Sequence, residues 1–101
     1  MFIFTKNNKH MILTTTNSIE GFTIDNYLGI VTGISTNKQS FFKDDLNENI
    51  DSAKEIAFQK LTENAIRLKA NAVIGINVDI EFLEQRYKTI VSVTGTAVKV
   101  I

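Results

Sequence analysis

Only one stretch of this chain sustains helical spacing, and that limits what it can fold into. Phe42, Leu46, Ile50, Ala53, Ala57, Leu61, Ala65 and Leu68 recur at steps of three and four, which places them on one stripe of a helix. The segments on either side are rich in Val, Ile and Thr and alternate at period two, as strands do. One helix and several strands in 101 residues make one domain around one core. The class is α+β, an antiparallel sheet packed against one long amphipathic helix. A lone helix shields one face of such a sheet, so the other must meet water, a ligand or another chain.

The limits of the helix are open to two readings. Ser52 and Glu55 have the spacing of a capping box, which would start a short helix there. The stripe reaching back to Phe42 favours a longer one starting near Asp44. Ala70-Asn71 is the expected stop, because Asn tolerates the left-handed geometry of a helix end. Ile66 lies well off the stripe, and Ile56 and Phe58 flank it, so the helix should touch more than its own sheet, a neighbouring subunit being the sharper explanation.

Met11-Ile-Leu-Thr-Thr-Thr16 reads as the first strand of the domain, closed by Asn17-Ser18 and followed by a turn at Glu20-Gly21. Phe22, Ile24, Leu28, Ile30 and Ile34 then share even positions, one face of a second strand, with Gly29 and Gly33 opposite. Residues 36–41 are polar and turn-prone. Beyond the helix, Ala72 to Phe82 alternates strictly: Ile74, Ile76, Val78, Ile80 and Phe82 face one way, and Val73, Gly75, Asn77, Asp79 and Glu81 the other. Leu83-Glu-Gln-Arg86 reads as a hairpin connection to a last strand from Tyr87 to Ile101. The apolar set there changes parity between Val93 and Val98, which predicts a bulge near Gly95. The predicted order is β-β-α-β-β, with Gly29, Gly33, Gly75, Asn77 and Asp79 on the uncovered face. Residues 1–10 form a separable extension, either disordered or with Phe2-Ile3-Phe4 as a short edge strand, and residues 11–101 form the domain.

Composition removes several functions. Eleven basic residues balance eleven acidic ones without any basic run, so no field gathers nucleic acid. A chain without net charge also does little to keep copies apart. There is no Cys, hence no disulfide, thiolate nucleophile or thiolate metal site. No signal-peptide pattern and no apolar run of about 18 residues is present, so the expectation is a cytoplasmic protein without a membrane partner.

His10 is the one imidazole and offers no nucleophile–base pair, so no catalytic residue is predicted. Asp79 and Glu81 share a strand face, ~7 Å apart along it, and with Asp25 they are the candidate metal ligands. Such a set suits a hard divalent cation rather than a soft heavy metal. The competing reading is a solvated polar face. Gly29-Ile-Val-Thr-Gly33 is no phosphate loop, since Lys-Ser/Thr does not follow it, and close packing explains it better. Tyr27 and Tyr87 could flank a small-molecule groove, although aromatics in strands are ordinary. No organic cofactor is expected.

Several blocks together resemble one family. Met11-Ile-Leu-Thr-Thr-Thr-Asn-Ser-Ile-Glu-Gly21, Tyr27-Leu-Gly-Ile-Val-Thr-Gly33 and Ala53-Lys-Glu-Ile-Ala57 are similar to the YbjQ-like small bacterial proteins. So are Ala70-Asn-Ala-Val-Ile-Gly-Ile-Asn-Val-Asp79 and Val91-Ser-Val-Thr-Gly-Thr-Ala-Val98. The resemblance implies a dodecin-like β-α-β-β subunit starting at Met11 and a ring, usually a homopentamer. It also brings a heavy-metal-binding label without an established activity. Where many relatives have Gly-Glu this chain has Gly33-Ile34, and where some have Cys it has Leu28. A Gly-Gly-Arg stretch before the helix is replaced by the shorter Lys43-Asp-Asp-Leu-Asn47. The fold carries over better than the metal label. The resulting expectation is a homo-oligomeric, non-enzymatic binding module, with a cation-binding protein and a small-substrate enzyme as alternatives.

Overall fold

The computed structural model describes residues 2–6, 9–38, 46–84 and 88–101. Five strands and one helix follow in the order β1 (Phe2–Lys6), β2 (Lys9–Leu13), β3 (Ile24–Lys38), α1 (Leu46–Arg67), β4 (Ala72–Leu83) and β5 (Lys88–Val100). They form one sheet with strand order β1-β2-β4-β5-β3. The sheet is mixed rather than antiparallel throughout. β2 runs parallel to β4, pairing Ile12 with Ala72 and Leu13 with Val73, while β1–β2, β4–β5 and β5–β3 are antiparallel. Strand β1 is an element more than the predicted β-β-α-β-β order and contains Phe2-Ile3-Phe4.

Helix α1 lies over β3 and β5 and touches β4 only marginally. Its buried line is Ala53, Ala57, Leu61 and Ala65, the centre of the predicted stripe. The helix is already formed at Leu46, so Ser52 lies inside it and caps nothing; Phe42 lies outside the described residues. Small side chains let the helix settle close. A Cβ on Gly33 would overlap the Ala57 carbonyl and come within 2.7 Å of the Leu61 nitrogen. The opposite end stops earlier than predicted, at Arg67 rather than at Ala70-Asn71. Lys69 takes the left-handed conformation (φ 65°), with its N–H donating to Ile66 O at 2.9 Å and the Ala70 N–H to Ala65 O at 3.1 Å. That pair of bonds is a Schellman cap. Asn71 lies beyond it and has another task. Its side-chain amide donates to Val100 O (2.9 Å) and accepts from Val100 N–H (2.8 Å), bracketing the end of β5 as a strand residue would.

The face assignments differ from the sequence pattern in two strands. In β3 the buried positions are Val31, Gly33 and Ser35, the odd set, and Ile30 and Ile34 are exposed. Gly33 therefore faces the helix, and so does Gly29, where an added Cβ would meet the Leu68 side chain at 3.5 Å. Both glycines were expected on the uncovered face. Register shifts between Ile24 and Asn26 and between Tyr27 and Gly29 move the phase along the strand. In β4 the ladder slips between Ile74 and Asn77, opposite Gly95. Gly75 takes φ 60° there, which a bulge requires and other residues resist. As a result Val73, Ile76, Val78, Ile80 and Phe82 share the helix face, and Ile74 joins Asn77, Asp79 and Glu81 on the other.

The predicted parity change in β5 is not a bulge of that strand. Thr89, Val91, Val93, Gly95 and Ala97 are buried in strict alternation. Val98 and Val100 are buried as well because the second sheet face has its own small core at this end. Ile19, Ala72, Ile74, Val98 and Val100 make up that cluster, with Ile12 and Ile24 packed against it. The segment from Thr14 to Thr23 supplies Ile19 as a lid. Thr16 Oγ1 donates to Ser18 O (2.6 Å) and bonds Thr14 Oγ1 (2.7 Å), and Phe22 N–H donates to Ile19 O (3.1 Å) across the Glu20-Gly21 turn. One face is thus covered by α1 and the other partly by a loop. Off the stripe, Phe58 and Ile66 pack on the main core, whereas Ile56 is exposed.

Candidate functional site

Residues that pair across the sheet share a face, so the ladder gives a map of the surface away from α1. From β4 through β5 to β3 the rows read Ala72–Val98–Tyr27, Ile74–Thr96–Ile30, Asn77–Thr94–Thr32, Asp79–Ser92–Ile34 and Glu81–Ile90–Thr36. In the first two rows Ile19 covers Ala72, Val98 and Ile74 but not Tyr27 and Ile30 of β3, and the other rows are open. Along β3, Tyr27, Ile30 and Ile34 expose 66%, 78% and 51% of their surface. Along β4 the same face is polar, with Asn77, Asp79 and Glu81 all exposed.

The candidate metal ligands are not brought into one cluster. Asp79 and Glu81 do share the open face, two residues apart. Asp25 sits between Ile24 and Asn26, which pair with Val100 and Lys99, at the far end of β5 from Ser92. Seven residues of strand separate Lys99 from Ser92, ~23 Å at the rise of a strand. Among the described residues no group of three His, Asp or Glu side chains comes together to hold a metal ion. Tyr27 is exposed on the open face, and Tyr87 lies outside the described residues.

Two clefts adjoin the helix. One, of about 330 Å³, lies below its C-terminal end and is lined by His10, Met11, Ile66, Lys69, Ala70, Asn71 and Lys99. The other, of about 440 Å³, runs along the outer edge of β3 between Thr32–Ile34 and the helix residues Lys60, Glu63, Asn64 and Arg67. In the second, helix side chains occupy the backbone of the edge strand. Asn64 Nδ2 donates to Thr32 O (2.8 Å), Lys60 Nζ donates to Ile34 O (3.0 Å), and Arg67 Nη1 donates to Asn64 Oδ1 (3.1 Å).

The other side of β4 carries a feature the alternation pattern could not show. Val78, Ile80 and Phe82 lie on the helix face, which α1 covers only marginally over β4, and they expose 37%, 44% and 43%. Strand β2 pairs with β4 only at Ala72 and Val73, and the following segment bonds Gly75 and Ile76. From Asn77 to Leu83 the outer edge of β4 has no strand beside it among the described residues. The signal lies in length: β4 has 12 residues and its parallel neighbour β2 has 5, so most of β4 extends past β2.

Taken together, this is a small α+β domain with exposed apolar strips and, among the described residues, no group of three His, Asp or Glu side chains placed to hold a metal ion. A family model described as "Putative heavy-metal-binding", the YbjQ-like family, matches residues 11–48 and 44–101. The chain belongs to that family. It is 36% identical to UPF0145 protein jk0060 of Corynebacterium jeikeium, over 87% of this chain and 97% of that protein. It is equally 36% identical to a UPF0145 protein of Carboxydothermus hydrogenoformans, over 87% of this chain and 94% of the relative. A crystal structure of a protein of unknown function of the DUF74 family, from Pediococcus pentosaceus, shares the fold. Its TM-score is 0.76 at 24% identity, over 90% of this chain and 98% of that one. No described helix is long and apolar enough to cross a membrane.

Proposed function

We propose that this protein is a non-enzymatic, cytoplasmic binding module that works as a homo-oligomer, a closed ring of five copies being the form its family resemblance implies. The observation that carries this reading is the row of exposed Tyr27, Ile30 and Ile34 on a sheet face that neither α1 nor the Ile19 loop covers. Fully burying one such side chain is worth roughly 1.5–3 kcal/mol, so a contact that covers three of them offsets a substantial part of the cost of association. The absence of net charge removes a barrier to meeting another copy. The names of the relatives state no reaction, which agrees with a binding role. Light scattering at micromolar concentration is the test. A mass near five times 11.3 kDa is expected, and a species of 11.3 kDa alone overturns the reading.

A second reading concerns Asp79 and Glu81, which stand in adjacent rows of the open face. In a ring these carboxylates repeat in every copy and would concentrate oxygen-preferring divalent cations such as Mg²⁺ or Ca²⁺. Asp25 is too remote in the ladder to join them within one copy. Thermal unfolding with and without millimolar Ca²⁺ or Mg²⁺ decides it. A rise in Tm that is lost in D79N/E81Q supports the reading, and an unchanged Tm in the starting protein ends it.

A further inference from the structure

We propose that the cleft below the C-terminal end of α1 binds a small organic phosphate, a phosphomonoester whose apolar part enters the cleft. The inference stands apart from the oligomer reading. The cleft measures about 330 Å³, at the lower end of the range for small-molecule sites. Three elements bring nitrogen-bearing side chains to it: His10 from β2, Lys69 from the turn after α1, and Lys99 from β5. Topology gathers them, since they are far apart in sequence. Strands β2 and β5 flank β4, and the turn that ends α1 enters β4 between them. Ile12 and Val98 both pair with Ala72, which sets the start of β2 and the end of β5 beside that turn. Among the described residues no Asp or Glu lines the cleft. Asp25, beside the Asn26–Lys99 pair, is not part of its wall.

Lys69 supplies a second observation. It holds φ 65°, a backbone position that glycine takes more easily. Glycine would keep the cap and lose the ammonium group; lysine keeps the ammonium against a strained backbone. The cap itself does not need that charge, because the Ile66 and Ala65 carbonyls already accept the Lys69 and Ala70 N–H groups. The lining also has a polarity. His10, Lys69 and Lys99 are exposed, Ile66 and Ala70 are half-buried, and Met11 is buried. Carbon suits the inner wall and an anion suits the outer groups. A phosphomonoester carries close to two negative charges near neutral pH and has three terminal oxygens to meet donors arriving from three directions. A carboxylate has one charge and two oxygens. The lysines act as point charges on such a group, and an imidazole carries a ring N–H in either protonation state.

Calorimetric titration of the full chain with phenyl phosphate and with inorganic phosphate, in a phosphate-free buffer near neutral pH, is the test. Phenyl phosphate should bind saturably and more tightly than inorganic phosphate, because its ring is buried against Met11 and Ile66. Lys69→Gly and Lys99→Gln should each weaken binding roughly tenfold, the worth of one hydrogen bond to a charged group. Both variants should fold: position 69 favours glycine and Lys99 is exposed, so circular dichroism is expected to stay unchanged. Lys54→Gln is the control. It removes the same charge ~18 Å along the helix from Ile66 and should leave affinity as it was. Absence of saturable heat with either probe overturns the proposal. A loss in K54Q equal to that in K69G and K99Q overturns it too, since attraction would then be diffuse. Inorganic phosphate binding as tightly as phenyl phosphate would remove the organic part of the assignment. The scattering mass, whichever way it falls, bears on the oligomer reading and not on this one.

Discussion

At the scale of single residues, two positions hold the layers together by opposite means. Gly33 works by having no side chain: the backbone of α1 passes where a Cβ would be. Gly33→Ala must push α1 away from β3, and overpacking of this kind costs about 1–3 kcal/mol or more. Because backbone rather than a flexible side chain is in the way, the upper end is expected, read as a fall in Tm or in the denaturant midpoint. Asn71 works by having an amide that imitates a peptide unit. Asn71→Ala removes two hydrogen bonds and leaves the Val100 N–H and C=O without these partners, a loss of about 1–3 kcal/mol by denaturant unfolding. Lys69 makes the opposite prediction. It takes the left-handed position that glycine holds more easily, so Lys69→Gly should raise stability by about 0.5–1 kcal/mol with no change in fold.

At the scale of elements, the helix was legible and the phases of the strands were not. The Ala53-Ala57-Leu61-Ala65 line is a periodicity of one element against one surface, so spacing alone reveals it. A strand with apolar residues on both faces has no such unique reading. In β3 the even set, Ile30 and Ile34, is bulkier than the odd set, Val31, Gly33 and Ser35, yet the small set lies under the helix because close packing wants small residues there. In β4 one bulge at Gly75 exchanges the faces of everything upstream, a change that alternation counted straight through cannot detect. The candidate site suffered in proportion. Asp79 and Glu81 share a face because they lie on the same side of that bulge, whereas Asp25 could be placed only by knowing the ladder. The corrected phase has an energetic consequence within β4. Ile76 is buried in the main core, so Ile76→Ala should cost about 2–5 kcal/mol. Ile80→Ala, four residues on and on the same face, should cost well under half of that in a monomeric background. Equal losses at the two positions would mean that α1 reaches farther over β4 than described.

At the scale of the whole molecule, the unresolved question for any open sheet is what prevents unlimited growth at its edges. The two long edges are treated differently here. At β3 the helix lends side chains to the strand: Asn64 and Lys60 bond the outward carbonyls of Thr32 and Ile34, and Arg67 steadies Asn64. A strand arriving at this edge finds acceptors taken and a cationic side chain in its path, a known way of blunting an edge. At β4 no comparable guard lies beside residues 77–83 among the described ones, and the exposed strip of Val78, Ile80 and Phe82 adjoins it. In the proposed oligomer, one guarded edge and one exposed strip would restrict the ways in which copies can meet. Removing the guard tests that logic. Lys60→Ala with Asn64→Ala returns the two carbonyls to water, which can satisfy them, so the fold should lose only about 1–2 kcal/mol. Assembly should change more than stability does. With β3 open, copies can add edge to edge as well as through their faces, and sedimentation velocity should show a broad, concentration-dependent series above the mass of the unmutated protein. If the double variant keeps a single sharp boundary at the unmutated mass, those hydrogen bonds only hold α1 to β3, and the restraint on growth lies elsewhere in the molecule.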